Sequence, residues 1–112
     1  WLWMWPNWTL SFFNGGMNTS RINPLGVDRT ELIYDFYFSD ASDAASDSRQ
    51  ETIKRNIAVI EQDFDICIHT HQNYLSGGYQ PGPLSPRHEK GVHLFQDLVK
   101  QHIGKAREAL AD

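Results

Sequence analysis

Apolar positions in the first forty residues recur with a period of two, the spacing of strands that bury one face. Trp1, Trp3 and Trp5 alternate within a strand-like stretch from Trp1 to Phe13, where Pro6-Asn7 marks an edge or bulge that lacks a backbone donor. Asn14-Gly15-Gly16 accepts positive φ and suits a hairpin turn. Met17 to Asn23 returns as the next strand, and Pro24-Leu25-Gly26-Val27-Asp28-Arg29 forms a second turn. From Thr30 to Ser39, Leu32, Tyr34, Phe36 and Phe38 share one face, while Ile33, Asp35 and Tyr37 share the other. The pattern predicts an antiparallel meander of about three strands.

The period then changes. Residues 40–49, DASDAASDSR, are small, acidic and polar, and the pattern predicts a surface loop. From about Gln50 to Ser76 apolar residues recur at helical spacing. A Gly/Pro segment, GGYQPGPLSP, separates this helix from a last one. Ser85 suits the N-cap of that helix and Pro86 its first position, with Glu89 in the opening turns. Val92, Phe95, Leu98, Val99, His102, Ile103 and Ala106 make its apolar stripe. The order β-β-β-α-α predicts an α+β fold with helices on one face of an antiparallel sheet.

Composition narrows the function. The chain has 112 residues, 40% of them hydrophobic and 21% charged, which suits one domain with a packed core. Ten Lys and Arg against fourteen Asp and Glu give a net charge of −4. With no basic run, a surface for nucleic acid or an anionic membrane is not expected. No apolar run reaches the ~18 residues of a membrane span. One cysteine excludes an internal disulfide framework and a Cys-rich metal site within the chain. All four tryptophans fall in the first eight residues, and the chain does not open with Met. An aromatic strand face needs covering, and three strands leave two open edges, so the chain is expected to be the C-terminal piece of a longer polypeptide.

On a wheel of the long helix, Ile53, Ile57, Ile60, Phe64, Cys67, Ile68, His71 and Leu75 form the apolar centre, flanked by Val59 and Ile66. Asp63 lies inside this arc, near Asn56 and Thr70. Asp65 lies on the opposite flank with Glu61, His69 and Gln72. A carboxylate facing an interior is costly unless it is paired, hydrogen-bonded or metal-bound. Asp63 therefore invites two readings: a carboxylate bonded to Asn56, Thr70 or a neighbouring segment, or a metal ligand or catalytic group. Asp65 and His69, four residues apart, suit a solvated ion pair. His71 suits a hydrogen-bonded core histidine, and Cys67 a small buried hydrophobe. His88, His93 and His102 have no metal-ligand spacing such as HExxH.

From Ile60 onward, the order of QDFDIC, Gly78-Tyr79, PGPLSPRHEKGVHLF and a closing helix resembles the C-terminal end of the alpha subunit of Rieske-type non-haem iron oxygenases. This family comprises aromatic-ring-hydroxylating dioxygenases and relatives that act on choline, betaine and carnitine. Trp5-Pro6-Asn7 and the stretch Pro24 to Thr30 resemble its strand and turn. Departures are Gln62 for the Glu before the ligand Asp, Ile68 for the Glu after the Cys, Thr70-His71-Gln72-Asn73 for Val-Gln-x-Gly, and Leu94 for the second His of His-His-Phe.

The resemblance implies a helix-grip catalytic domain with mononuclear Fe(II) held by two His and one carboxylate. It implies Asp63 as that carboxylate, with the two His on an earlier segment outside this chain. It further implies a pocket to which Ile57, Ile60, Phe64 and Cys67 of the helix and Trp3, Trp5 and Phe12 of the strands contribute. A [2Fe–2S] Rieske cluster would sit in another domain, fed by NAD(P)H through a reductase or ferredoxin. The implied protein is cytoplasmic and a homo-oligomer, a trimer, that hydroxylates an aromatic ring or a small quaternary amine with O₂; the chain alone would be inactive. The alternative is a helix-grip module that binds a small molecule without metal chemistry.

Overall fold

The computed structural model describes residues 1–110 as two compact units, residues 1–78 and the segment from Tyr79 onward. The first unit carries four strands: β1 (Leu2–Met4), β2 (Trp8–Phe13), β3 (Gly16–Pro24) and β4 (Thr30–Phe38). They pair antiparallel in sequence order, a plain meander. The α+β class and the meander are as the alternation predicts, with one difference in count. The stretch from Trp1 to Phe13 is two strands, folded at Trp5-Pro6-Asn7 so that Met4 pairs with Trp8. Pro6 cannot donate to a ladder, and Asn7 fastens the turn to the third strand. Its backbone carbonyl accepts from the Ile22 amide at 2.9 Å, and its side-chain amide donates to the Ile22 carbonyl at 2.9 Å.

Two glycines make the β2–β3 turn. Gly15 takes φ +83°, a conformation in which a Cβ is strained. Gly16 pairs with Phe38 across the ladder, and a Cβ there would collide with the Tyr37 carbonyl and the Phe13 ring. At the β3–β4 turn, the amides of Leu25 and Gly26 both donate to the Arg29 carbonyl, at 2.9 and 3.2 Å.

Register sorts the side chains onto two faces. One carries Trp3 on β1, Thr9, Ser11 and Phe13 on β2, Asn18 and Ser20 on β3, and Tyr34, Phe36 and Phe38 on β4. This face has a polar centre between aromatic flanks. On the flank, Tyr34, Phe36 and Phe38 stack in series with centroids 6.2 and 6.4 Å apart. In the centre, Thr9 and Ser20 are buried and share a hydroxyl–hydroxyl bond. Among the described residues the buried set is Thr9, Asn18, Thr19 and Ser20, and no hydrophobic side chain is fully covered.

Helix α1 (Ser46–Leu75) starts four residues before the expected Gln50 and follows a 3₁₀ turn over Asp43–Ala45. The expected loop thus shrinks. Arg49, in the first helical turn, donates to the carbonyls of Asp40 and Ser42 at 3.0 and 2.7 Å, which ties the entry segment to the helix. Thirty residues at 1.5 Å each make a helix of about 45 Å. Its apolar stripe is not a closed core: Ile53, Ile60 and His71 are half-buried, while Ile57, Phe64, Cys67, Ile68 and Leu75 are exposed. The expectation of a buried Cys67 is corrected here.

In the second unit, α2 spans Lys90–Ala109. It begins later than Ser85, because that residue organises a separate turn. The Ser85 hydroxyl accepts from the His88 amide and its carbonyl from the Glu89 amide, while the Glu89 carboxylate accepts from the Ser85 amide. On the helix surface His93 pairs with Asp97 at 2.9 Å, and His102 Nδ1 lies 2.7 Å from the Leu98 carbonyl. Among the described residues no helix is long and apolar enough to cross a membrane.

Candidate functional site

Where α1 passes the mixed face of the sheet, a groove of about 370 Å³ opens within the first unit. Ser11, Asn18 and Tyr34 line it from the strands, Trp1 from just before β1, and Arg55, Asn56, Val59, Ile60 and Asp63 from the helix. The volume is that of a small-molecule site. Strand residues at alternate positions of three neighbouring strands supply the floor: Ser11 pairs with Asn18, and Asn18 pairs with Phe36, one position along from Tyr34 on the same face. The helix supplies the opposite wall from positions 55, 56, 59, 60 and 63, one face at helical spacing.

One hydrogen bond spans the groove. The side-chain amide of Asn18 donates to Asn56 Oδ1 at 3.4 Å, and Asn56 Nδ2 donates to the Thr52 carbonyl at 2.8 Å. Asn56 is thereby held to both its own helix and the sheet. Arg55, at the groove margin, pairs with Glu51 at 3.5 Å on an exposed surface, a contact worth little in stability.

Asp63 lines the groove, while Asp65 does not. Asp63 is exposed rather than enclosed, and makes no hydrogen bond or ion pair among the described residues. Neither Asn56 nor Thr70 partners it. Of the expected pocket residues, Ile60 lines the groove. Ile57, Phe64, Cys67, Trp3, Trp5 and Phe12 do not. Phe12 points to the other face of the sheet, since it is one residue from Ser11. Trp3 and Trp5 pack edge to face with centroids 6.1 Å apart. His69 does not pair with the Asp65 carboxylate: its Nδ1 lies 2.7 Å from the Asp65 backbone carbonyl.

Ser11, Asn18 and Arg55 are groove residues that the sequence pattern does not single out, while Trp1 and Tyr34 stand out in the alternation but are not assigned by it to a pocket. Their signal lies in register, because the polar centre of the floor forms only when β2, β3 and β4 are aligned. Asn56 carried a signal, being seven residues before Asp63 and hence on its side of the helix.

Among the described residues no three His, Cys, Asp or Glu side chains converge to hold a metal. The groove offers one unpartnered carboxylate, Asp63, which can supply a single oxygen ligand to a set completed from elsewhere.

The sequence model for the family described as ring hydroxylating alpha subunit (catalytic domain) matches residues 1–105. Among curated proteins, the chloroplastic choline monooxygenase of Spinacia oleracea is 26% identical over 98 residues, covering 88% of this chain and 22% of that protein. The corresponding enzyme of Amaranthus tricolor is 25% identical over 100 residues, covering 89% and 23%. That of Atriplex hortensis is 26% identical over 96 residues, covering 86% and 22%. The chain therefore spans less than a quarter of the length of these relatives. No solved structure matches it.

Proposed function

Because the chain belongs to the ring hydroxylating alpha subunit (catalytic domain) family, we propose that it is the C-terminal part of the catalytic domain of a Rieske-type non-haem iron oxygenase. In this reading Asp63 is the carboxylate ligand of a mononuclear iron whose two His ligands lie outside the chain. The observation that carries the assignment is the unpartnered Asp63 carboxylate in a small-molecule groove of a chain that matches this family over residues 1–105. When bound, Fe(II) would supply the activation of O₂ for hydroxylation, with electrons from NAD(P)H relayed by a reductase or ferredoxin and a Rieske [2Fe–2S] cluster in another domain.

The chain's own residues have narrower tasks. Asp63 offers a negative charge that offsets part of the metal charge while leaving positions open. Val59 and Ile60, on the same wall, give that end of the groove an apolar lining. Trp1 and Tyr34 add aromatic side chains to the groove lining, where a bound substrate would meet them. A ring face attracts a quaternary ammonium group and also packs on an arene. The names of the relatives favour the amine over the arene and monooxygenation over dioxygenation. A homo-oligomer, a trimer, completes the proposal.

The test is iron content of the purified full-length protein. Asp63→Ala is expected to lose bound iron, while Asp65→Ala keeps it near the unaltered level. Equal loss in both would assign the ligand to the wrong carboxylate, and iron at full level in both would remove Asp63 from the site.

A further inference from the structure

The floor of the groove carries a hydrogen-bonding group that no other described residue uses. Asn18 is 5% exposed, deep enough that an unmet polar atom is costly. Its orientation follows from its neighbours. Asn56 Nδ2 donates to the Thr52 carbonyl, which can only accept, so Asn56 Oδ1 is the end that faces Asn18. Asn18 must then present its amide nitrogen to Asn56, and its oxygen lies at the other end.

That oxygen accepts no hydrogen bond among the described residues. It is also not sealed off, since no buried side-chain nitrogen or oxygen is left without a partner. It therefore opens on the groove that Asn18 lines. With Asp63 assigned to the metal, the Asn18 oxygen is an acceptor that faces the groove, and it calls for a ligand that brings a donor.

We propose that Asn18 is a specificity-determining residue, whose free side-chain oxygen accepts a hydrogen bond from an O–H or N–H group of the substrate held in the groove. The inference rests on the oxygenase reading for calling the occupant a substrate. It selects among the substrates that reading allows. A bare arene, or a quaternary ammonium with no other polar group, leaves the Asn18 oxygen unmet. An alcohol-bearing amine or a hydroxylated ring satisfies it. Asn56 is the positioning residue, because its bond to the Asn18 nitrogen turns the oxygen into the groove.

The test compares two probe pairs on the full-length protein by direct binding: choline with its O-methyl ether, and benzyl alcohol with benzyl methyl ether. Each ether keeps the oxygen and loses only the donor. At least one alcohol should bind about tenfold more tightly than its ether, the size of one satisfied hydrogen bond. Asn18→Leu, of similar volume, should erase the preference. Asn56→Ala, which removes the bond that orients the Asn18 amide, should weaken the preference and so serves if the leucine variant does not fold. Equal binding of each alcohol and its ether to the unaltered protein, binding of none of the four, or a preference that survives Asn18→Leu would overturn the inference. Iron content separates the two readings. A protein that retains iron but shows no preference refutes the role of Asn18 alone; a protein with the preference but no iron refutes the oxygenase reading alone.

Discussion

Single residues show where local chemistry decides and where context does. Gly16 is decided locally. A Cβ on Gly16 meets the Tyr37 carbonyl, which is backbone and cannot turn aside, and the Phe13 ring beside it. Gly82, in contrast, has nothing within 4 Å of an added Cβ. Gly16→Ala in the full-length protein is therefore expected to cost about 1–3 kcal/mol as an overpacking change. Gly82→Ala should stay within about 0.5 kcal/mol. Denaturant unfolding of both variants checks this, and equal effects would show that the β2–β3 turn has room the geometry denies. The histidines and the cysteine show the other case. Spacing alone suggests an Asp65–His69 ion pair, yet the His69 ring reaches the carbonyl of the same turn, which competes on equal terms. A wheel puts Cys67 in an apolar arc and says nothing of what covers that arc, and here it is exposed. Asn18 is the residue least legible in the sequence, since a polar residue in a strand of mixed pattern gains meaning only from Ser11 and Phe36 across the ladder.

Among the elements, those with strong internal periodicity were legible and their ends were not. The alternation of β4 and the helical spacing from Ile53 to Leu75 are complete in the sequence. The break at Trp5-Pro6-Asn7 is masked because apolar residues continue on both sides of it. The helix starts are masked for different reasons. Ser85 and Pro86 look like a helix start but close a turn of their own, and the start of α1 depends on Arg49 reaching back to two carbonyls. That entry segment carries a pH signature. The Asp40 carboxyl is held below its ordinary value of 3.8, chiefly by a hydrogen bond from the Ser42 side chain, then by the Ser42 amide, with Arg49 adding a smaller attraction. A depressed folded-state pKa means that the ionised form is favoured by folding. Its contribution is present above the unfolded value and is lost as pH falls through the lower folded value. The group is fully exposed, so the effect is local. Carboxyl titration by NMR should show Asp40 ionised into more acidic solution than free aspartate. Ser42→Ala should move it back toward 3.8 further than Arg49→Met does. The reverse order would make the guanidinium, not the serine, the main cause.

At the scale of the molecule, the described residues hold two well-formed patterns, a meander and long amphipathic helices, without a closed hydrophobic interior. The buried side chains are Thr9, Asn18, Thr19 and Ser20, all polar and all on the two central strands. Phe12 is 64% exposed and Phe64 46%, as are many of the aliphatic residues at the positions where the periodicity calls for burial. Fully burying such a side chain is worth about 1.5–3 kcal/mol, and conformational entropy opposes folding at about 1–2 kcal/mol per residue. Ladder hydrogen bonds exchanged with water contribute too little each to close that gap. The apolar stripes are thus legible as stripes, while the described residues leave them uncovered. This fits a chain that spans less than a quarter of its relatives' length. Residues 1–112 expressed alone are therefore expected to bind a hydrophobic dye such as ANS and to unfold on heating without a sharp transition. The full-length protein proposed above should bind little dye and melt cooperatively. Asp63 and Asn18 would then be held at their mutual spacing only in the longer protein, so the isolated chain should also show no alcohol-over-ether preference. A cooperative transition in the isolated chain, with two-state agreement between fluorescence and circular dichroism, would show that the sheet and α1 stabilise each other without further covering.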